Sequence, residues 1–346
     1  MAQLHSSSFI DIAVRSLESA LRLDFDDYEI VIVDNASSEG SLERIRKFVE
    51  EKKPSSVKVK FVRSDVNKGY AGGMNLGWEA RDSEAKYVAF LSNDLIVEPI
   101  SLREIIDYMV SDNKIAAANG LIYLGDGKRI FSAGDYISDN WHMGNICHSS
   151  FEHECPGINK QHYVTYANGA YMLVKAEAIL RACPAGKPFI DETFLYLDDN
   201  LLGLILWNNG YKVAYVPVKS GIHYSGLTTG PSKIGIYYVT RASAIGINTI
   251  KTKLTYMKQL YIARRLYGNK LLSLINRQRR EEYSIVLKAI KDGLELSPII
   301  EKRAGTLDLE RAPHVHVNAI NAILDLLLIK RLDRINHEML KQPDMQ

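Results

Sequence analysis

Three short apolar runs, each followed by polar residues and then a helical pattern, constrain this chain more than any other feature. Residues 28–33 and 57–62 are rich in Val, Ile and Phe, and residues 87–91 form a third compact run. Between them, apolar residues fall at helical spacing: Phe9, Ile12, Ala13, Leu17, Ala20 and Leu21 predict a helix over 9–23. Further helices are expected over 41–51, with Ser38 or Ser41 as cap, from 73 to 80, and over 101–110. Strands alternating with helices at this spacing predict a parallel sheet with crossover helices. Strand 28–33 reads as covered on both faces. In such folds ligands gather at the carboxyl ends of the strands, so the polar residues there carry the functional argument.

Those residues are unusual. The first strand runs into Asp34-Asn35-Ala36-Ser37. The second leads to Asn67-Lys68-Gly69-Tyr70-Ala71-Gly72-Gly73-Met74-Asn75, and the third ends in Ser92-Asn93-Asp94. The glycine-rich turn would offer backbone N–H groups and a helix N-terminus to a phosphate. Asp94 could supply a carboxylate to a divalent metal bridging two phosphates. Each has a plainer reading: Asp34 as a turn cap, the glycines as a tight turn with positive φ.

Beyond residue 115 the pattern becomes short strands and polar loops up to 174. An acidic loop entering a helix follows over 188–211, then a final strand over 212–218. From 231 the signal is helical, with a break expected near Ser297-Pro298 and a polar stretch over 304–313. This divides the chain into residues 1–230 and a helical C-terminal region, 231–346.

The ordered blocks are similar to the family 2 glycosyltransferases with a GT-A fold, a Rossmann-like α/β domain with a mostly parallel sheet, and in particular to a rhamnosyltransferase-like branch. The blocks are Val31 to Ser37, Asn67 to Gly77, Phe90 to Asp94, Asn168-Gly169-Ala170-Tyr171-Met172-Leu173-Val174, Phe194 to Asp199, Gly210-Tyr211 to Pro217 with His223, and Tyr237-Tyr238-Val239-Thr240-Arg241. They span roughly residues 9–295. The resemblance implies an inverting transferase that moves a sugar from a nucleoside-diphosphate donor to a glycan or lipid-linked acceptor, as in polysaccharide biosynthesis.

It also implies roles. Asp34 would meet the nucleotide base, with Asn35, Asn67, Gly69, Gly72, Gly73, Asn75, Ser92 and Asn93 around the nucleotide. Asp94 and His223 would hold Mg2+ or Mn2+, Asp94 being the last carboxylate of an Asp-x-Asp position whose first member here is Ser92. Asp199 would be the general base, with Asp198 orienting it; the plainer reading is an acidic first turn of a helix. Asn168 and Gly169 would lie toward the acceptor, as would Trp141, whose aromatic face suits sugar C–H groups.

The chain also departs from the family. Relatives begin with a β-branched strand that walls the nucleotide pocket, and no such run precedes residue 9. Leu201 and Ile205 stand where an acid and an Arg often follow the acidic pair. A GT-A scaffold with weak or absent turnover, acting as a partner subunit, is therefore the alternative reading. A nucleotidyltransferase would need an N-terminal Gly-rich loop and a Lys after the first strand, which are missing.

Composition bounds the partners. Of 346 residues, 43 are Lys or Arg and 41 Asp or Glu, a net charge of +2 that gives no reason to expect nucleic acid. Residues 251–303 hold 13 basic against 5 acidic residues. That basic stretch, with Tyr256, Tyr261, Arg264, Arg265, Tyr267 and Lys270, suits an amphipathic surface resting on anionic lipid, a helical cap on the catalytic domain, or a homodimer contact. No run of about 18 apolar residues is present and no signal peptide is evident, so a cytoplasmic, peripherally membrane-associated protein is expected. The 3 cysteines argue against a disulfide framework and for a reducing compartment. His142, Cys147, His148, His153 and Cys155 crowd together, but their spacing fits no common zinc pattern.

Overall fold

The computed structural model describes residues 7–38, 40–224, 232–275 and 277–327. Its first half alternates as the sequence predicts: α1 (Ser7–Ala20), β1 (Glu29–Asn35), α2 (Ser41–Lys52), β2 (Lys58–Ser64), α3 (Gly69–Ala80), β3 (Tyr87–Leu91), β4 (Leu95–Val97) and α4 (Ser101–Ser111). Ser41 is the first residue of α2, and left-handed Gly40 takes the cap position with no side-chain cap. Helix α3 starts at Gly69, a full turn before the expected Gly73.

The middle of the chain forms β5 (Ile115–Leu124), β6 (Ile130–Ser132), β7 (Asp135–Ile137), β8 (Met143–Asn145), β9 (His162–Tyr163) and β10 (Tyr171–Lys175). Helix α5 (Ala176–Ala182), helix α6 (Asp198–Asn208) and strand β11 (Lys212–His223) follow. The larger sheet has the order β3-β10-β5-β11-β4, with β6 beside β5 and β9 beside β11. β5 and β11 are parallel, while β10 runs against both β3 and β5, so β3, β5 and β11 share one direction. Their carboxyl ends define one rim. Tyr171, at the start of β10, lies opposite Leu91 at the end of β3 and brings the preceding loop to the same rim.

β1 and β2 form a separate parallel pair, with Asp34 opposite Arg63. Among the described residues neither strand bonds to the larger sheet, which β3 closes on that side. One consequence corrects the expectation for residues 28–33: apart from Asp34, every residue of β1 is only half-buried. Tyr28, Ile30 and Ile32 pack around Leu17, Leu21, Val49 and Val57, and Ile30 also reaches the apolar cluster of the larger sheet.

The C-terminal region contains α7 (Lys233–Thr249), β12 (Ile250–Lys251), α8 (Lys258–Ile275), α9 (Arg277–Ala304), β13 (Leu307–Asp308) and α10 (Ala319–Leu327). The expected break at Ser297-Pro298 is absent, because α9 continues through Pro298. Ser297 Oγ donates to the Gly293 carbonyl, one of the acceptors near the proline. This region is no separate body. A single apolar core joins Leu201, Leu204 and Leu206 of α6 to Ala242 and Ile245 of α7, Val286 and Ile290 of α9, and Leu307 beyond it. Tyr261 is buried and donates its hydroxyl to the Ala322 carbonyl, whereas Tyr256 and Tyr267 are exposed. No helix among the described residues is long and apolar enough to cross a membrane.

Candidate active site

At the end of β1, Asn35 acts as a staple. Its Nδ2 donates to the Gly69 carbonyl at 2.8 Å and to Asn67 Oδ1 at 3.2 Å, and its Oδ1 accepts from the Lys68 N–H. The Gly69 N–H turns to Asn67 Oδ1, and the Ala71 N–H to the Phe194 carbonyl. Three N–H groups of the turn are thus satisfied within the protein, which corrects the picture of an open phosphate cradle. The glycine has a packing reason. Gly69 has φ +68°, and a Cβ there would lie 2.1 Å from the Phe194 carbonyl oxygen. Gly72 and Gly73 are buried in the same first turn of α3. Asn75, expected near the nucleotide, is 2% exposed and wholly engaged: its amide donates to the Phe189 carbonyl and Asp191 and accepts from the Phe189 N–H. It anchors α3 to the loop before α6.

Asp34 is also engaged. It accepts from the Ser37 N–H at 3.1 Å, the turn-cap geometry, and pairs with Arg63 at 2.9 Å. A base could reach it only beside that guanidinium.

Asp94 immediately precedes β4, which pairs antiparallel with the end of β11 at His223. His223 Nε2 lies 3.1 Å from Asp94 Oδ1, and Ser92 Oγ donates to the same oxygen. Asp94 is 3% exposed. Burial opposes its charge, but the His223 and Ser92 hydrogen bonds outweigh that and hold its carboxyl below the usual range. Asn93 is exposed. The opposite ring nitrogen, His223 Nδ1, is buried with no hydrogen-bond partner, and Phe131 packs edge-on against the ring. A buried carboxylate and imidazole at this separation suit a divalent ion whose other ligands are phosphate oxygens and water.

A second carboxylate group sits at the start of α6. The turn before it holds three non-glycine residues at positive φ, Phe194, Tyr196 and Leu197, a conformation that persists only when its surroundings enforce it. Arg241 of α7 donates to the Thr193 carbonyl, and Tyr238 stacks on Phe194 at 5.1 Å. The Tyr-Tyr-x-x-Arg block therefore braces this turn. Asp198 is 5% exposed and accepts from Thr193 Oγ1. Burial, reinforced by Asp199 and opposed by Thr193 and Arg241, pushes its carboxyl up to about 8. Asp199 is half-buried; its Oδ2 accepts from the Gly169 N–H at 3.0 Å and its Oδ1 from the Asn200 N–H. Burial raises its carboxyl as well, against those backbone hydrogen bonds.

Sequence reasoning missed two neighbours of Asp199. Asp135 is fully buried, receives Ser132, Asn145 and Asn168, and is held well above the usual range by burial and by the charge of Asp199. Tyr70 donates to the Gly169 carbonyl, and burial followed by Asp199 and Asp198 raises its hydroxyl far above normal. Tyr70 lies within the glycine-rich turn, where no pattern marks its hydroxyl, and Asp135 follows Ser132-Ala133-Gly134, which carries no motif.

Several of the residues singled out in the sequence meet at this rim. Gly169 touches Asp199 and Tyr70, the Ser92 N–H donates to the carbonyl of the next residue, Ala170, and Ser92 bonds Asp94. Trp141 does not join it. It is 3% exposed and its Nε1 donates to the Ile250 carbonyl, so it presents no face to an acceptor. The His and Cys cluster separates too. Cys147 and Cys155 form a disulfide with Cα atoms 5.7 Å apart, contrary to the expectation of free thiols, and Cys183 alone is free. His148 bonds the Phe131 carbonyl, His142 packs on Tyr136, and His153 stacks on Phe151.

Residues 10–172 match the family described as Glycosyl transferase family 2. An uncharacterized glycosyltransferase of Nostoc sp. is 32% identical over 120 residues, 34% of this chain and 35% of that protein, so the match spans about a third of its length. The fold resembles a crystal structure of GalNAc-T7 with UDP, GalNAc and Mn2+, at a TM-score of 0.51 and 13% identity, over 84% of this chain and 55% of that one. Asp198, Asp199, His223 and Arg241 lie beyond the matched residues. Over residues 10–172 the chain is thus similar to family 2 glycosyl transferases, and the described fold is the GT-A α/β fold with additional helices.

Proposed function

We propose that this chain is an inverting, metal-assisted glycosyltransferase that transfers a sugar from a nucleoside-diphosphate donor to a hydroxyl of a glycan or lipid-linked acceptor. One observation carries the reading. Gly169 and Ala170 link the Asp199 carboxylate to Ser92, which holds Asp94 beside His223, so a base and a metal-type donor pair flank one short loop. Asp94 and His223 would hold the divalent ion, which when bound neutralises charge gathering on the departing diphosphate. Burial pushes the Asp198 carboxyl up to about 8 and raises that of Asp199 as well, so the adjacent carboxylates titrate as a pair. Asp199 would accept the proton of the acceptor hydroxyl as that oxygen attacks the anomeric carbon. Hydrogen bonds from the Gly169 N–H to Oδ2 and the Asn200 N–H to Oδ1 orient the carboxylate.

Asp199→Asn tests this. Turnover should fall about a hundredfold or more while nucleoside-diphosphate binding by calorimetry is unchanged; near-normal turnover removes Asp199 from the role.

The scaffold reading draws on different observations: the β1–β2 pair stands apart from the larger sheet, Asp34 is already paired with Arg63, and Ser92 and Asn93 replace further carboxylates. Calorimetry of UDP and dTDP with and without Mn2+ separates the two. Binding that requires the ion supports the enzyme, and no binding supports the scaffold.

A further inference from the structure

Away from the rim, the C-terminal segment brings two imidazoles to a buried carboxylate. Residues 313–317 run beside residues 137–139: the Val315 N–H donates to the Ile137 carbonyl and the Asp139 N–H to the Val315 carbonyl, each at 3.0 Å. Thr165 Oγ1 fastens the Pro313 carbonyl, and the Val317 N–H donates to Asp139 Oδ2 at 2.9 Å. This lacing places His314 and His316 over Asp139.

The nitrogen chemistry is specific. His314 Nδ1 lies 2.9 Å from the Ala312 carbonyl, which only accepts, so Nδ1 carries the proton. In the neutral ring Nε2 then presents a lone pair. That lone pair faces two carboxylate oxygens, Asp139 Oδ1 at 3.4 Å and Glu310 Oε1 at 3.3 Å. Asp139 is 1% and His314 5% exposed, and Asp139 Oδ1 and His314 Nε2 are both buried without a hydrogen-bond partner. His316 Nδ1 approaches Asp139 Oδ2 at 3.5 Å from the half-exposed side. One ligand atom each from Asp139, His314 and His316 lies within 4.8 Å of the others, the only such group of three among the described residues.

Electron pairs facing one another across a buried gap repel unless a proton or a cation lies between them. The spacing favours a cation. Donors about 2.0–2.1 Å from a tetrahedral ion stand about 3.3–3.4 Å from each other, as His314 Nε2 and Asp139 Oδ1 do at 3.4 Å, and the three ligand atoms together lie within 4.8 Å. A ring whose far N–H is fixed by a backbone carbonyl is also the usual support of a metal-bound histidine.

We propose that Asp139, His314 and His316 form a zinc-class divalent metal site that clasps the C-terminal segment to the loop after β7. Two imidazoles and a carboxylate suit Zn2+ better than Mg2+ or Mn2+, which sets this site apart from the Asp94–His223 pair. Glu310, already bonded to Lys253, balances the charge beside His314. The inference is independent of the transferase reading.

The test uses the full chain, stripped with a chelator and titrated with Zn2+ by calorimetry, with Co2+ as a spectroscopic substitute. Expected are one saturable equivalent at micromolar affinity or tighter, a higher Tm with Zn2+, and the visible band of tetrahedral Co2+. His316→Gln should weaken binding at least tenfold and abolish the band; His316 is half-exposed, so the fold should tolerate the change. Asp94→Asn should leave both unchanged. Zinc uptake lost in Asp94→Asn but kept in His316→Gln would overturn the site. So would a wild type that takes up no zinc and whose Tm falls as pH rises through the imidazole range, since a proton would then occupy the gap.

Discussion

Asp198 and Asp199 are adjacent in the chain yet differ in their surroundings, Asp198 being buried and Asp199 half-buried. Burial pushes the Asp198 carboxyl up to about 8, while Asp199, half-buried, has its carboxyl raised as well and lies nearer the rim. The folded state therefore holds a proton on Asp198 that an unfolded Asp would release near pH 4. Stability from this group is present below that pH and is lost as pH rises toward about 8. Thermal denaturation should show Tm declining across that window, and Asp198→Asn should flatten the decline. Gly69 offers a second residue-scale prediction. Its left-handed φ and the Phe194 carbonyl leave no room for a side chain, so Gly69→Ala should cost about 1–3 kcal/mol, measurable by urea unfolding. The nearness of Asp94 to His223 and the place of the acidic pair at the start of α6 were legible in the sequence, because strand ends and motif order mark them. Asp135 could not: its role depends on a loop geometry that brings Asn145 and Asn168 to it, and no local pattern encodes that. Trp141 was misplaced for a related reason, since an aromatic in a polar loop looks exposed until its backbone partner is known.

Among the elements, α7 matters beyond its length. It follows the last strand of the sheet, yet its Arg241 and Tyr238 hold the turn that presents Asp199. Arg241→Ala should therefore lower stability by about 2–3 kcal/mol, the range for a hydrogen bond to a charged group. It should also reduce kcat more than donor affinity, which steady-state kinetics and calorimetry together would show. The strand–helix alternation was legible because periodicity reports burial directly. Glycines predict a loop up to residue 73, whereas the Phe194 carbonyl and Asn35 support helical geometry from Gly69. The continuity of α9 through Pro298 runs against the usual effect of proline, which ends a helix. The Cys147–Cys155 bridge closes a short loop beside β8. Replacing both by Ser should cost about 2–3 kcal/mol by the chain-entropy estimate, read as a Tm shift that reducing agent reproduces in the wild type.

At the scale of the whole molecule, the division at residue 230 seen in the sequence marks a change of pattern and not of core. Composition separates the acidic-rimmed α/β half from the basic helical half, but their apolar residues interlock around α6. A fragment ending before α7 should be insoluble or molten, lacking fixed near-ultraviolet dichroism.

The separation of the β1–β2 pair from the larger sheet has a mechanical outcome. The side of the rim carrying Asp34 and the side carrying Asp94 belong to two different backbone ladders, tied across by Asn35, the first turn of α3 and the Phe194 carbonyl. Sliding one against the other strains few peptide hydrogen bonds. A nucleotide gripped at both ends would act as a rung between two rails, so its arrival should stiffen the frame that holds it, and amide exchange in β1 is where that stiffening would register.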